Sequence, residues 1–186
     1  MFRTRPAEVA RVIAYVALVA AVAAERIAEL VVSKRHADWA FARGGVEYGR
    51  SHYPVMAVVH AALLVSCLVE VAVADRPFVP WLGWPMVAVV VATQALRWWC
   101  VATLGSQWNT RVIVVPGFPL VTDGPYRWLR HPNYLAVTVE VAALPLVHTA
   151  WVTAVVFSIA NAILLLGWRM PVEERALATV GSPDRR

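Results

Sequence analysis

Charged residues are scarce in this chain. Of its 186 residues only 16% are Asp, Glu, Lys or Arg, while 60% are hydrophobic and the mean hydropathy is +0.59. A soluble globular domain carries about a quarter charged residues, so the composition excludes an ordinary soluble protein. Cysteine is nearly absent. Cys67 and Cys100 lie inside apolar runs without a C-x-x-C neighbour. They therefore read as small buried hydrophobes, which excludes a disulfide framework and leaves no metal site to expect. Internal repeats and low-complexity segments are also missing. The formal charge of +5 could suggest nucleic acid, but the basic residues cluster beside apolar runs, where membrane topology explains them and no nucleic-acid partner is needed.

What is present is long apolar sequence. Five segments stand out, at about 9–32, 54–74, 78–103, 132–148 and 149–168. Each is near the ~20 residues a helix needs to cross about 30 Å of hydrocarbon. Barrel strands would be shorter and would alternate, so helices are expected. The last two segments abut almost without a loop and predict an antiparallel hairpin, with Pro145 kinking or ending its first arm. The chain reads as a single domain over 1–186 and as an all-α integral membrane protein of about five transmembrane helices. Residues 1–24 also resemble a signal peptide, with arginines before VIAYVALVAAVAA, but apolar character resumes at IAELVV and favours a span.

Lys and Arg give the orientation. Arg3, Arg5, Arg11 and Arg76 fall on one side, and the remaining thirteen of seventeen fall on the side holding residues 33–53, 104–131 and the C-terminus. The positive-inside rule puts that second side in the cytosol, against the pull of the three N-terminal arginines. Trp81, Trp84 and Trp151 then mark the outer interface, and Trp98, Trp99, Trp108, Trp128 and Trp168 the inner one.

Ionisable residues inside spans are costly and so point to function or to pairing. They are Glu25, Arg26, Glu29, His60, Glu70, Arg97 and Glu140. Glu25 and Glu29 share a helix face with a four-residue spacing; His60 and Glu70 can share another. The expected inner side holds a second group. In loop 104–131, Val112–Val115 reads as a short extended piece, followed by turns at Pro116-Gly117 and Asp123-Gly124-Pro125. Arg127, Arg130, His131, Asn133 and Tyr134 then crowd the mouth of the fourth helix, with Pro132 suited to its first turn, whose free amides can receive an anion. Arg169, Glu173 and Glu174 follow the fifth helix. Anchoring to head groups needs arginines, but it does not need His, Asn, Tyr and paired carboxylates. The three regions therefore predict a polar, aromatic-rich pocket partly sunk in the bilayer.

The order G-P-Y-x-x-x-R-H-P-x-Y, an apolar hairpin, then R-x-x-x-E-E-x-x-L resembles the isoprenylcysteine carboxyl methyltransferase family. The matching residues are Gly124, Pro125, Tyr126, Arg130, His131, Pro132 and Tyr134, then Arg169, Glu173, Glu174 and Leu177, within a motif region of about 104–178. ERIAELVVSKRHADW, GGVEYGRSHYP and QWNTRVIVVPG look like a bacterial branch, some members of which act with type III polyketide synthases and methylate long-chain products such as alkylpyrones. Where family members often follow with F-G-x-x-Y, this chain has ATVGSPDRR.

The resemblance implies S-adenosyl-L-methionine as cofactor, cytosolic cofactor-binding loops and a lipophilic acceptor in a bacterial cytoplasmic membrane. The absence of G-x-G-x-x-G fits a site without a soluble Rossmann domain. It assigns cofactor contacts to His131, Tyr134 and the tail carboxylates, and makes Arg169 the candidate for orienting an anionic acceptor. Chemically, Glu173 and Glu174 can accept from cofactor hydroxyls or its ammonium. Arg130, His131 and the amides from Pro132 through Asn133 onward can hold its carboxylate, and Tyr126, Trp128 or Tyr134 can face its sulfonium. An enol or phenol acceptor needs a base, for which His131 and Glu140 are candidates; a carboxylate needs only an arginine clamp. Membrane lipids are the expected partners, with a polyketide synthase as a candidate. The competing readings are a thiol S-methyltransferase, an NADPH-dependent enzyme of the sterol-reductase type, and a non-catalytic membrane scaffold.

Overall fold

A computed structural model describes residues 6–50 and 52–180. Arg3 and Arg5, used in the charge count, and the last residues of the ATVGSPDRR tail lie outside that range. The described chain is helical apart from one short strand pair. Its elements are α1 (Pro6–Phe41), β1 (Val46–Tyr48), α2 (His52–Val73), α3 (Pro80–Leu104), β2 (Val112–Val114), α4 (Pro132–Leu146), α5 (Trp151–Leu164) and α6 (Met170–Val180).

Among the described residues, four helices are long and apolar enough to cross a membrane: Pro6–Phe41, Tyr53–Val73, Pro80–Gln107 and the continuous Trp151–Ala178. No more than 28% of the residues in their most apolar stretches are buried within the molecule, so their side chains are left for lipid. The expected fourth span is different. α4 has 15 residues, or about 22 Å at a rise of about 1.5 Å per residue, short of a bilayer's ~30 Å. It is instead the most enclosed helix, with Ala136, Val137, Val141 and Leu144 buried. Tyr15, Val19 and Val22 of α1, Leu63, Cys67 and Val71 of α2 and Val90 of α3 form the core with it. Both cysteines are buried and free.

Two boundaries moved. α1 runs nine residues beyond its apolar end near 32, carrying SKRHADWAF as helix. Charge ends an apolar stripe, but Lys, Arg, His, Ala and Trp do not end a helix; the stop comes at Gly44 with φ +77°. At the other terminus, α5 passes through a π-turn over Leu165–Arg169 straight into α6, so Glu173 and Glu174 ride on a helix rather than a tail. The α4–α5 hairpin is as expected, with Pro145 one residue before the end of α4.

The loops gather at one end of the bundle. β1 and β2 pair antiparallel there, Glu47 opposite Ile113. The extended piece at 112–115 was legible in the sequence; its partner in the 33–53 segment was not. At the opposite end, Glu70 accepts from the backbone amides of Val152 (3.2 Å) and Thr153 (2.6 Å) and pairs with Arg76 (2.9 Å). It thus caps α5, whose first amides have no helical partner.

Candidate functional site

The π-turn governs where Arg169 points. One extra residue per turn shifts the register of the following face, and Arg169, only 5% exposed, is directed inward. Its Nε donates to the Tyr134 hydroxyl (2.8 Å) and its Nη1 donates to the Thr110 carbonyl (2.8 Å). The Tyr134 hydroxyl in turn donates to Glu173, which lies 3.5 Å from Arg169 Nε. One guanidinium therefore ties α4, the 104–131 loop and α6 together.

His131 caps this cluster at the N-terminus of α4. Its ring stacks on Tyr134 (centroids 5.2 Å apart, 14° between planes). Nδ1 lies 3.6 Å from Glu173 and Nε2 lies 3.8 Å from Glu174. The Glu173 carboxylate beside it holds the imidazole pKa above its ordinary value, with Glu174 adding to it and partial burial and Arg130 opposing. Tyr126 sits in the turn before α4, where burial raises its phenol, aided by the neighbouring Cys100 thiol.

Around these residues opens a cavity of about 200 Å³. Tyr126, Arg130, His131, Asn133, Tyr134, Arg169 and Glu173, all expected at the site, line it together. Three expected residues are placed differently. Pro132 is buried behind the wall as the first residue of α4. Glu174 is at the rim, its side chain 62% exposed. Glu140 is elsewhere: its carboxylate is buried and bound by Arg26 at 2.8 Å, seven residues along α4 from Asn133. Trp108, expected at an interface, is buried, because His36 Nδ1 donates to its carbonyl (2.9 Å) and pulls the Q-W-N-T-R segment against α1.

That segment supplies the residues sequence reasoning missed. Ser33 Oγ donates to Asn109 Oδ1 (2.8 Å) and accepts from Thr110 Oγ1 (2.7 Å). The Q-W-N-T-R string was visible, but its pairing with α1 depended on nine extra residues of helix.

A second cavity, of about 340 Å³, lies between α1 and α2. Met56, Ala57, Ala61 and Leu64 give it an apolar side, and Ile27 and Leu30, both largely exposed, stand at its open edge. Its floor is charged. Arg97 holds Glu29 through two bonds (2.8 and 2.5 Å), and Arg26 donates to Glu29 (2.7 Å), Gln94 (2.9 Å) and Glu140 (2.8 Å). Gln94 donates to Glu25. Five of the seven intramembrane ionisable residues, Glu25, Arg26, Glu29, Arg97 and Glu140, are thus one network, while His60 and Glu70 are held elsewhere. The two cavities share a wall: Trp108, Asn109, Asn133, Tyr134 and Arg169 line both. Asn133 Oδ1 and Trp108 Nε1 in that wall are buried without a hydrogen-bond partner.

Comparison with known proteins bears on this arrangement. Residues 86–179 match the model of the isoprenylcysteine carboxyl methyltransferase (ICMT) family. The Bacillus subtilis protein YpbQ is 39% identical over 161 residues, covering 86% of this chain and 94% of YpbQ. A Haemophilus influenzae protein is 25% identical over 162 residues, covering 86% and 92%. Among solved structures, the eukaryotic intramembrane Ras methyltransferase ICMT superposes with a TM-score of 0.57 at 21% identity, over 72% of this chain. The chain spans about half the length of that enzyme, 48%, and the likeness is one of fold.

Proposed function

Because the chain is a membrane protein that belongs to the isoprenylcysteine carboxyl methyltransferase family, we propose that it transfers a methyl group from S-adenosyl-L-methionine to an oxygen of a lipophilic acceptor. The loop-bearing end would face the cytosol, and the membrane would be a bacterial cytoplasmic one. The observation that carries the reading is the shared wall: a polar cavity at the loop end and an apolar groove between helices meet at Asn133, Tyr134 and Arg169. A methyl transfer needs its two substrates on opposite sides of one small set of residues, aligned for in-line displacement.

The residues of the loop-end cavity fit the cofactor. Arg130, Arg111 and His131 offer positive charge for a carboxylate, Glu173 an acceptor for an ammonium or ribose hydroxyls, and Tyr126, Phe118 and His36 flat faces for an adenine. The orphaned Asn133 and Trp108 polar atoms are available to a ligand reaching the wall. When bound, S-adenosylmethionine supplies a methyl already activated on a sulfonium. What remains for the protein is alignment and charge. Arg169, fixed by Tyr134 and Thr110, is placed to steady an anionic oxygen at the wall. For a carboxylate acceptor that suffices. For an enol or phenol a base is needed, and His131, which lines the loop-end cavity and stacks on Tyr134 of the wall, is the better candidate than Glu140, which Arg26 engages. Action alongside a polyketide synthase remains part of this proposal, on the resemblance of the sequence segments alone.

The test is thermal stability of the purified protein with S-adenosylmethionine, S-adenosylhomocysteine or NADPH. Stabilisation by the first two and not by NADPH is expected. Stabilisation by NADPH alone, or by none, would remove the reading.

A further inference from the structure

The apolar groove contains polarity that the methyl transfer does not use. Arg26 spends Nη1 and Nη2 on Glu29, Gln94 and Glu140, but its Nε is buried beside the groove without a hydrogen-bond partner. A buried donor in that state is destabilising, having lost water without gaining a partner. Across the groove, His60 Nδ1 lies 2.8 Å from the Met56 carbonyl. A carbonyl only accepts, so the proton is on Nδ1 and Nε2 of the neutral ring is left as an acceptor. His60 also lines the groove. An unmet donor and a fixed acceptor therefore line one groove, beside the apolar Ala57, Ala61 and Leu64.

The depth of this pair is set by two helices independently. On α1, Arg26 lies seven residues from Ser33, which binds the Asn109-Thr110 wall; on α4, Glu140, the partner of Arg26, lies seven residues from Asn133 of the same wall. Seven residues of α-helix rise about 10 Å. A hydrocarbon tail would leave Arg26 Nε unsatisfied and would seal His60 against methylenes. A hydroxyl complements both, with a lone pair for Arg26 and a proton for His60.

Resting on the reading of this groove as the acceptor site, we propose that the acceptor is an oxygenated amphiphile carrying a hydroxyl or enol about 10 Å deeper in the membrane than the methylated atom, read by Arg26 and His60. These are specificity-determining residues for the acceptor and stand outside the donor cavity.

The experiment compares binding of hexadecanoic acid and 9-hydroxyhexadecanoic acid to the full chain in lipid nanodiscs, at equal mole fraction in the lipid and with S-adenosylhomocysteine present. The hydroxyl of the second probe stands at the depth an extended chain would bring to Arg26. The expected result is at least about tenfold tighter binding of the hydroxylated probe, as one buried hydrogen bond to a charged group provides. His60→Leu should erase most of that preference, and His60→Gln should restore part of it, with S-adenosylhomocysteine affinity the same in all three proteins. Equal binding of the two probes, no binding of either, or a preference untouched in His60→Leu overturns the proposal. The methyl-transfer reading fails separately: hydroxyl preference without cofactor binding would sink that reading and leave only the groove's recognition of a hydroxylated amphiphile by Arg26 and His60.

Discussion

Replacing Arg97 by Met tests the account of the intramembrane network most directly. Arg97 is 6% exposed and holds Glu29 through Nε (2.8 Å) and Nη2 (2.5 Å). The Glu29 side chain is 3% exposed, so water cannot take over the vacated contacts. Removing one partner of a buried pair costs about 3–5 kcal/mol, because the remaining charge stays buried and uncompensated. Here Arg26 still donates to Glu29 at 2.7 Å, which places Arg97→Met near the lower end, about 3 kcal/mol. For a chain of this size that is a fall in Tm of roughly 6–12 °C. The Glu29→Met/Arg97→Met double variant removes both charges and fills the space with side chains of similar volume. It should recover most of the loss, so that the two single variants together cost several kcal/mol more than the double (about 3–5 for each single by the buried-pair rule). Arg26 keeps Glu140 and Gln94 in that variant, so no new orphan guanidinium is made. The assay is thermal unfolding in detergent followed by tryptophan fluorescence for the four proteins of the cycle. A single-variant loss below about 1 kcal/mol, or a double variant as unstable as the sum of the singles, would refute a mutually compensated buried pair.

Four further outcomes are expected at the site. Tyr134→Phe deletes the hydroxyl between Arg169 and Glu173, and methyl-transfer rates should fall about tenfold with stability little changed. Arg169→Lys should not rescue Arg169→Ala, because an ammonium cannot reach both the Tyr134 hydroxyl and the Thr110 carbonyl in the planar geometry that serves them; turnover should drop more than cofactor affinity in both. Glu173→Gln should weaken S-adenosylhomocysteine binding, measured by calorimetry, more than Glu174→Gln, since Glu173 lines the cavity and Glu174 is at its rim. The His131–Glu173 contact should show in stability against pH. The folded pKa is raised above the ordinary 6.5, so the contribution is fully present below about pH 6.5 and is lost as pH rises through the folded value. His131→Gln should abolish that alkaline decline in Tm, and an unchanged decline would reassign it to another group.

Much of this protein was legible before any tertiary structure. Scarce charge and runs of some twenty apolar residues dictate a helical membrane protein, because unpaired backbone groups cannot be left in hydrocarbon. The motif from Gly124 to Tyr134 and the Arg169-Glu173-Glu174 set announced the residues that line the loop-end cavity, since His, Asn, Tyr and paired carboxylates have no business at a mere lipid anchor. What the sequence could not show is which of these residues meet, and through what. A one-dimensional pattern has no signal for a π-turn, so Arg169 turning inward onto Tyr134 and Thr110 became visible only in three dimensions. The helical reach of α1 to Phe41 was hidden because its last turns are polar, yet those turns, together with Ser33, seat the Asn109-Thr110 wall. Glu140 read alone as a deep carboxylate free to act; packing made it the partner of Arg26. Composition and spacing specify which groups enter the membrane. Only the packing of α1, α3 and α4 decides that their charges neutralise one another, because the low dielectric makes pairing compulsory but does not choose the pairs.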